Sequence, residues 1–240
     1  MSAEPKQAAK EILAGEPAAA ARTWLGVTAL AMFVLFAIDT VLVLNGFWLP
    51  IDIRIAVFIQ SLNWGPLVIP MTITNVTAGY PQMLTGILAI VVLFIIERRA
   101  GWLMLIGSIS SLLDNIFKLL IERDRPTVDL VHIITPANGY SYPSGHAVFF
   151  TWLSFMLAAS LAPRIKPVYR PTLWLAAVIV IVVACVARVW AGAHWPSDVI
   201  GGVFLGVAWS AFVLWLPERW LPSPSLRWFG GRLRRRSTSQ

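Results

Sequence analysis

The chain has 240 residues, of which 58% are hydrophobic and only 13% charged, and a soluble domain of this length carries nearly twice that charged fraction. Its apolar residues fall in blocks near the ~20-residue length that crosses a bilayer, which excludes a soluble globular protein. The formal net charge of +7 would suggest nucleic acid in a soluble protein; here membrane topology accounts for it first, because cytoplasmic loops concentrate Lys and Arg, and no nucleic-acid partner is expected.

Residues 1–23 form a polar, Ala-rich tail with Lys6, Lys10 and Arg22, expected in the cytoplasm as at most a loose surface helix. No small-x-small cleavage site separates the next apolar run from "NGFWLP", so 24–45 is read as a retained first span, not a cleaved signal. Asp39 lies roughly 24 Å along it at ~1.5 Å per residue, near the outer interface or paired inside the bundle. Residues 46–80 are interrupted by proline and glycine and alternate apolar with polar letters. Amphipathic pieces on the membrane surface are expected there, with a re-entrant piece as the alternative. Further spans follow at about 81–97, 101–121, 147–162, 172–189 and 199–216.

The connectors orient these spans. "ERRAG" holds Arg98 and Arg99, "PRIKPVYRP" holds Arg164, Lys166 and Arg170, and the tail 217–240 ends in "GGRLRRRSTSQ". Placing them in the cytoplasm predicts an all-α, polytopic protein: six transmembrane helices within 24–216, both termini cytoplasmic, no second domain and no internal repeat. The single cysteine, Cys185, sits in an apolar block and reads as a small buried hydrophobe. Five basic residues then lie on the other side, against the positive-inside pattern: Arg54, Lys118, Arg123, Arg125 and Arg188.

That outer side gathers three polar clusters at helix ends. They are "KLLIERDRP" with Lys118 and Arg125, the turn Pro143-Ser144-Gly145-His146, and "ARVWAGAHWPSD" with Arg188, His194 and Asp198. Lys118, Arg125 and Arg188 suit a tetrahedral dianion, and an arginine fork holds phosphate oxygens in pairs. Ser144 offers a hydroxyl, Gly145 permits close backbone approach, and the helix opening there presents unsatisfied N–H groups to an anion. His194 and Asp198 are four apart, so the carboxylate can take one imidazole proton and leave the other nitrogen to attack phosphorus. His146 is placed to protonate the leaving oxygen and then activate water.

Lys-x6-Arg-Pro, Pro-Ser-Gly-His and Arg-x5-His-x3-Asp, in this order and on one face, resemble the three signature motifs of the type 2 phosphatidic acid phosphatase family. The resemblance implies His194 as a nucleophile forming phosphohistidine, Asp198 as its orienting partner, and His146 as acid and base. It implies Lys118, Arg125, Ser144, Gly145 and Arg188 as the phosphate-binding set, with no cofactor and no metal. Ala187 stands where the family often has serine before the third-motif arginine, which bears on fine substrate choice. The implied substrate is an amphiphile with a terminal phosphate or diphosphate: undecaprenyl diphosphate in first place, phosphatidate or phosphatidylglycerophosphate otherwise. The implied setting is a bacterial cytoplasmic membrane, with the site facing the periplasm or exterior. A phosphotransferase with the same intermediate and a catalytically silent lipid transporter or assembly factor are the alternatives.

Plainer readings stand beside these. A helix-end lysine ordinarily snorkels to headgroups, and Ser144 ordinarily caps a helix. His132 has no motif partner. Arg123 has two readings, phosphate recognition or pairing with Glu122, Asp124 or Asp129. Asp114, one turn before Lys118, is placed to orient it.

Overall fold

The computed structural model describes residues 4–217, with side chains from residue 22 onward. Among the described residues there are nine α-helices and no strand: α1 (Glu4–Leu44), α2 (Leu49–Ser61), α3 (Val68–Val76), α4 (Tyr80–Ile96), α5 (Arg98–Gly107), α6 (Ser110–Ile121), α7 (Gly145–Leu161), α8 (Arg170–Trp190) and α9 (Pro196–Trp215). The helix α1 begins at Glu4, well ahead of the expected start at 24. Apart from Pro217, the basic tail 217–240 lies outside the described residues.

Among the described residues five helical stretches are long and apolar enough to cross a membrane: Arg22–Leu44, Arg98–Ile121 (α5 with α6), Gly145–Arg164, Pro167–Trp190 and Pro196–Trp215. The expected second span is the shorter apolar α4, 17 residues or about 25 Å. Large apolar side chains such as Leu30, Leu88, Ile95 and Val178 are exposed. Such a surface suits lipid, where apolar side chains face the solvent and backbone groups are satisfied within helices. The chain is therefore a multi-pass membrane protein.

Segment 46–80 differs from the surface pieces expected. Helices α2 and α3 form one bent pair, 116° apart across a short break, and both contact α8. An amphipathic surface helix would turn its polar residues to water, yet Asp52 is 1% and Asn75 5% exposed. Their polar groups point into the bundle because their partners are there. A bend of this size suits either a broken span or a re-entrant loop.

At the centre, α9 packs against α1 and α7. Its inward face is small: Gly201, Gly202, Gly206, Ala208, Ser210 and Ala211 are all buried. In lipid, where apolar burial supplies no drive between helices, such faces let backbones approach and gain dispersion contacts. A Cβ on Gly202 would stand 2.7 Å from both Ala147 Cβ and the Ser144 carbonyl. This contact sets the starts of α7 and α9 side by side, and the Ser144 N–H donates to the Asp198 carbonyl at 2.9 Å. At the opposite end of the bundle, Glu97 pairs with Arg164.

Gly202→Leu is expected to wedge the two helices apart at a cost of about 1–3 kcal/mol. The check is a thermal melt in detergent, which should shift down together with loss of activity; an unchanged melt would contradict the packing described.

Candidate active site

The three clusters converge on one cavity of about 550 Å³, whose lining includes Lys118, Arg125, Gly145, His146, Arg188 and His194. Helix α6 delivers Lys118 in its last turn, where Nζ meets Asp114 at 2.6 Å. The pairing expected from their spacing is thus formed. Gly145 lies against this pair: a Cβ there would be 2.9 Å from Lys118 Nζ and would collide with the Asp114 carboxylate. Any side chain at 145 would displace the lysine from the cavity.

Ser144 occupies the N-cap of α7, but its side chain makes no capping bond. Its Oγ is buried without a partner, and its N–H is already given to Asp198. Neither Ser144 nor Asp198 is among the cavity-lining residues. The His146 imidazole bonds to the Thr74 backbone carbonyl, and its Nε2 has no partner. Arg188 donates from Nη1 to Asn75 at 2.9 Å, and its buried Nε is unpartnered. Helix α3 therefore steadies a residue of the second cluster and one of the third.

His194 sits in the tight loop between α8 and α9, 3% exposed. Arg125 Nη1 lies 3.1 Å from its Nε2. A guanidinium can only donate, so Nε2 carries the lone pair and Nδ1 carries the proton. That proton goes to the Ser141 carbonyl at 2.9 Å. Asp198 Oδ2 is farther, at 3.5 Å, so the expected direct Asp198 acceptor is replaced by a backbone one. The Ser141 hydroxyl, 3.4 Å from Nδ1, donates to the same Asp198 oxygen and links the two. Burial, followed by the charges of Arg188, Arg125 and Lys118, holds the His194 pKa well below its ordinary value. The imidazole is neutral, the state in which its free nitrogen pair can attack.

Arg125 is less free than its position suggested. Nε donates to the Gly139 carbonyl (2.9 Å), Nη1 to Ala193 (2.6 Å) and Nη2 to Tyr140 (3.0 Å). It stitches the loop before α7 to the loop before α9, and burial lowers its pKa. Arg123 takes neither reading offered for it. Its Nη1 meets Asp198 Oδ1 at 2.6 Å and Ser197 Oγ at 2.7 Å, and its Nη2 meets Asp52 at 2.6 Å. Burial works against its charge, but Asp198 and Asp52 outweigh it and raise the pKa. His132 is exposed and serves through its backbone, bonded to Gln60. Asp39 is paired inside the bundle, accepting from Tyr142 at 2.9 Å.

Sequence reasoning passed over Asp52, Thr74, Asn75 and Ser141. The available signal was the surplus of polar residues in an apolar segment, since a buried polar group in a membrane protein implies a partner.

Comparison with known proteins agrees with this geometry. A family model, the PAP2 superfamily, matches residues 99–222, which contain all three clusters. Over 129 residues the chain is 30% identical to an undecaprenyl-diphosphatase of Sulfolobus acidocaldarius, covering 52% of this chain and 58% of that one. Over 110 residues it is 30% identical to phosphatidylglycerophosphatase B of Bacillus subtilis, covering 44% and 51%. The chain thus spans about half the length of these curated relatives. Two solved structures share the fold. A transmembrane PAP2 type phosphatidylglycerolphosphate phosphatase from Bacillus subtilis superposes with TM-score 0.67 at 21% identity, over 78% of this chain and 94% of that one. Aquifex aeolicus LpxE gives 0.50 at 22% identity, over 67% and 93%. The family match covers the three clusters and their helices, and the chain belongs to the PAP2 superfamily.

Proposed function

We propose that the protein is a membrane lipid phosphatase that removes a terminal phosphate through a phosphohistidine at His194. The observation that carries this reading is a set of three buried atoms without partners, Ser144 Oγ, His146 Nε2 and Arg188 Nε. His146 and Arg188 line the cavity with Lys118, Arg125 and His194, and Ser144 directly precedes Gly145, which also lines it. Buried polar atoms are ordinarily satisfied, and a phosphate group supplies acceptors for the arginine and the serine hydroxyl together. A proton on His146 Nε2 would go to the leaving oxygen.

In the first step the His194 Nε2 lone pair attacks phosphorus. The bond from phosphorus to the leaving oxygen breaks and its electron pair stays on that oxygen. His146 enters this step as the imidazolium, a charge that the phosphate dianion supports, and it protonates the oxygen from Nε2 and is left neutral. In the second step neutral His146 takes a proton from water, whose oxygen bonds to phosphorus as the P–N bond breaks. The pair returns to Nε2 and phosphate leaves. Lys118, Arg125, Arg188 and the first N–H groups of α7 stabilise the charge on the transferring group. The Thr74 carbonyl accepts from the other nitrogen of His146 throughout, keeping Nε2 toward the cavity. Among the described residues no three His, Cys, Asp or Glu side chains converge on a metal position, and the mechanism is assigned to side chains alone.

An amphiphilic substrate is supported by a second crevice of about 250 Å³, which shares Gly79, Gln82 and Ser111 with the catalytic cavity. Its remaining walls include Met83, Ile87, Ile90, Phe149 and Trp152. A headgroup in the polar cavity would lay its tail along this apolar one. Undecaprenyl diphosphate is the preferred substrate, on the strength of the Sulfolobus acidocaldarius relative's name, with phosphatidylglycerophosphate or phosphatidate next. Six spans with both termini cytoplasmic would set the site at the outer face, away from Arg98, Arg99 and Arg164.

Phosphate release from farnesyl diphosphate, phosphatidate and phosphatidylglycerophosphate, measured with EDTA present, tests the reading. His194→Ala and His146→Ala are each expected to lower turnover by at least about 100-fold. Full turnover by the His194 variant would overturn the mechanism, and strict dependence on an added acceptor would favour a phosphotransferase.

A Cβ on Gly86 in the crevice would lie 3.3 Å from Phe149. Gly86→Leu should therefore raise KM for dioleoyl phosphatidate roughly tenfold, the worth of about 1.4 kcal/mol of apolar contact. KM for dihexanoyl phosphatidate should stay within about twofold. Equal effects on both would place the tail elsewhere.

The depressed His194 pKa also carries a stability sign. Unfolded, the group binds a proton below its ordinary value of about 6.5, while folded it stays neutral to lower pH. The unfolded state then binds more protons, so stability falls as pH drops below that value. Melting curves between pH 7 and 5 should show wild type losing more stability than His194→Ala; equal losses would contradict a buried neutral imidazole.

A further inference from the structure

The bent pair α2–α3 reaches the nucleophile by a route that the three clusters do not contain. Asp52, in the first turn of α2, is 1% exposed and has no place in the cavity lining. Its Oδ1 accepts the Ser197 N–H at 2.9 Å, and its Oδ2 accepts the Ser197 hydroxyl and Arg123 Nη2, each at 2.6 Å. The other arm of Arg123 holds Asp198. Asp198 in turn accepts from Ser141 and from the Trp195 N–H, the groups that flank His194. Without Asp52, the Arg123 charge would cancel that of Asp198. With it, the two carboxylates share one guanidinium, and one negative charge remains beside the imidazole.

We propose that Asp52 is a positioning residue for the nucleophile, fixing Arg123 and through it the Asp198–Ser141–His194 unit. It also preserves the negative charge that supports the ring as it becomes cationic on phosphorylation. The inference rests on the phosphohistidine reading above. It gives the segment before the three clusters a part in the reaction and separates attack from substrate binding. Asp52 touches no cavity wall, so its loss slows attack and leaves substrate affinity in place.

The test is single-turnover release from farnesyl diphosphate with enzyme in excess and saturating, in detergent. The limiting rate constant is independent of the fraction of active enzyme, which a merely structural role would change instead. Asp52→Asn is expected to lower that rate about 100-fold, with half-saturation within about twofold of wild type. Asp52→Glu, which restores the charge, should recover at least tenfold of the loss, whereas packing alone would make the bulkier Glu worse than Asn. Should the Asn variant fail to fold, Ser197→Ala, which removes the hydroxyl shared by Asp52 and Arg123, should slow the same step several-fold. A wild-type limiting rate in Asp52→Asn, or in Ser197→Ala where that stands in, overturns the inference. If His194→Ala is inactive at the same time, the phosphatase reading survives that result; if His194→Ala turns over, the reading itself falls.

Discussion

The site is organised around the Asp198 carboxylate. One oxygen takes Arg123, and the other takes the Ser141 hydroxyl and the Trp195 N–H; the residue's own carbonyl takes the Ser144 N–H. A carboxylate removed from water costs several kcal/mol unless its lone pairs are filled and its charge is met. Those requirements draw the loop after α6, the turn before α7 and the start of α9 to a single point. The glycine face of α9 allows the approach, and the carboxylate fixes its register. The Trp195 N–H donates to Asp198 in the first turn of α9, so a bond that starts the helix also holds this carboxylate.

The cations divide by what neutralises them. Arg123 is consumed by two carboxylates, and Lys118 has Asp114. Arg188 and Arg125 are held by an amide oxygen and by backbone carbonyls, which fix direction without cancelling charge. The cavity therefore keeps a positive surplus in a water-poor setting, where Coulomb forces are less screened than in water. Such a surplus attracts a dianion. It also keeps His194 neutral, because a proton on the ring would add one more charge of the same sign. A positive cavity and a neutral His194 thus follow from one arrangement.

Much of this was legible in the letters. Lys118, Arg125, His146, Arg188 and His194 were named from spacing and from their place on the positive-poor side, and all five line one cavity. What escaped was the supporting layer. Asp52 finds its partners 71 and 145 positions away, and Asn75 lies 113 before Arg188; no local pattern reports such pairs. The segment 46–80 misled for a physical reason. Alternation suggests polar residues that face water, but Asp52 and Asn75 face inward because Arg123 and Arg188 are there to meet them. Arg123 escaped similarly. Neighbouring acids in sequence looked like its partners, while the folded chain offers two better-buried ones.

Arg125 ties the two halves of the proposed reaction together. In the structure one of its N–H groups is given to the lone pair of His194 Nε2, the pair that has to attack. A histidine so capped is a poor nucleophile, since its electrons are already engaged. Phosphate oxygens are stronger acceptors for a guanidinium than a neutral imidazole is. In the proposed reaction a phosphate entering the cavity would compete for that N–H, and in winning it would free Nε2 as phosphorus comes within reach. The guanidinium is planar and its other N–H groups stay on the loop carbonyls, so the phosphate oxygen would have to come to the N–H that His194 now accepts. In this reading the group that binds the substrate also releases the nucleophile, and water alone, a weaker competitor for the cation, leaves His194 capped.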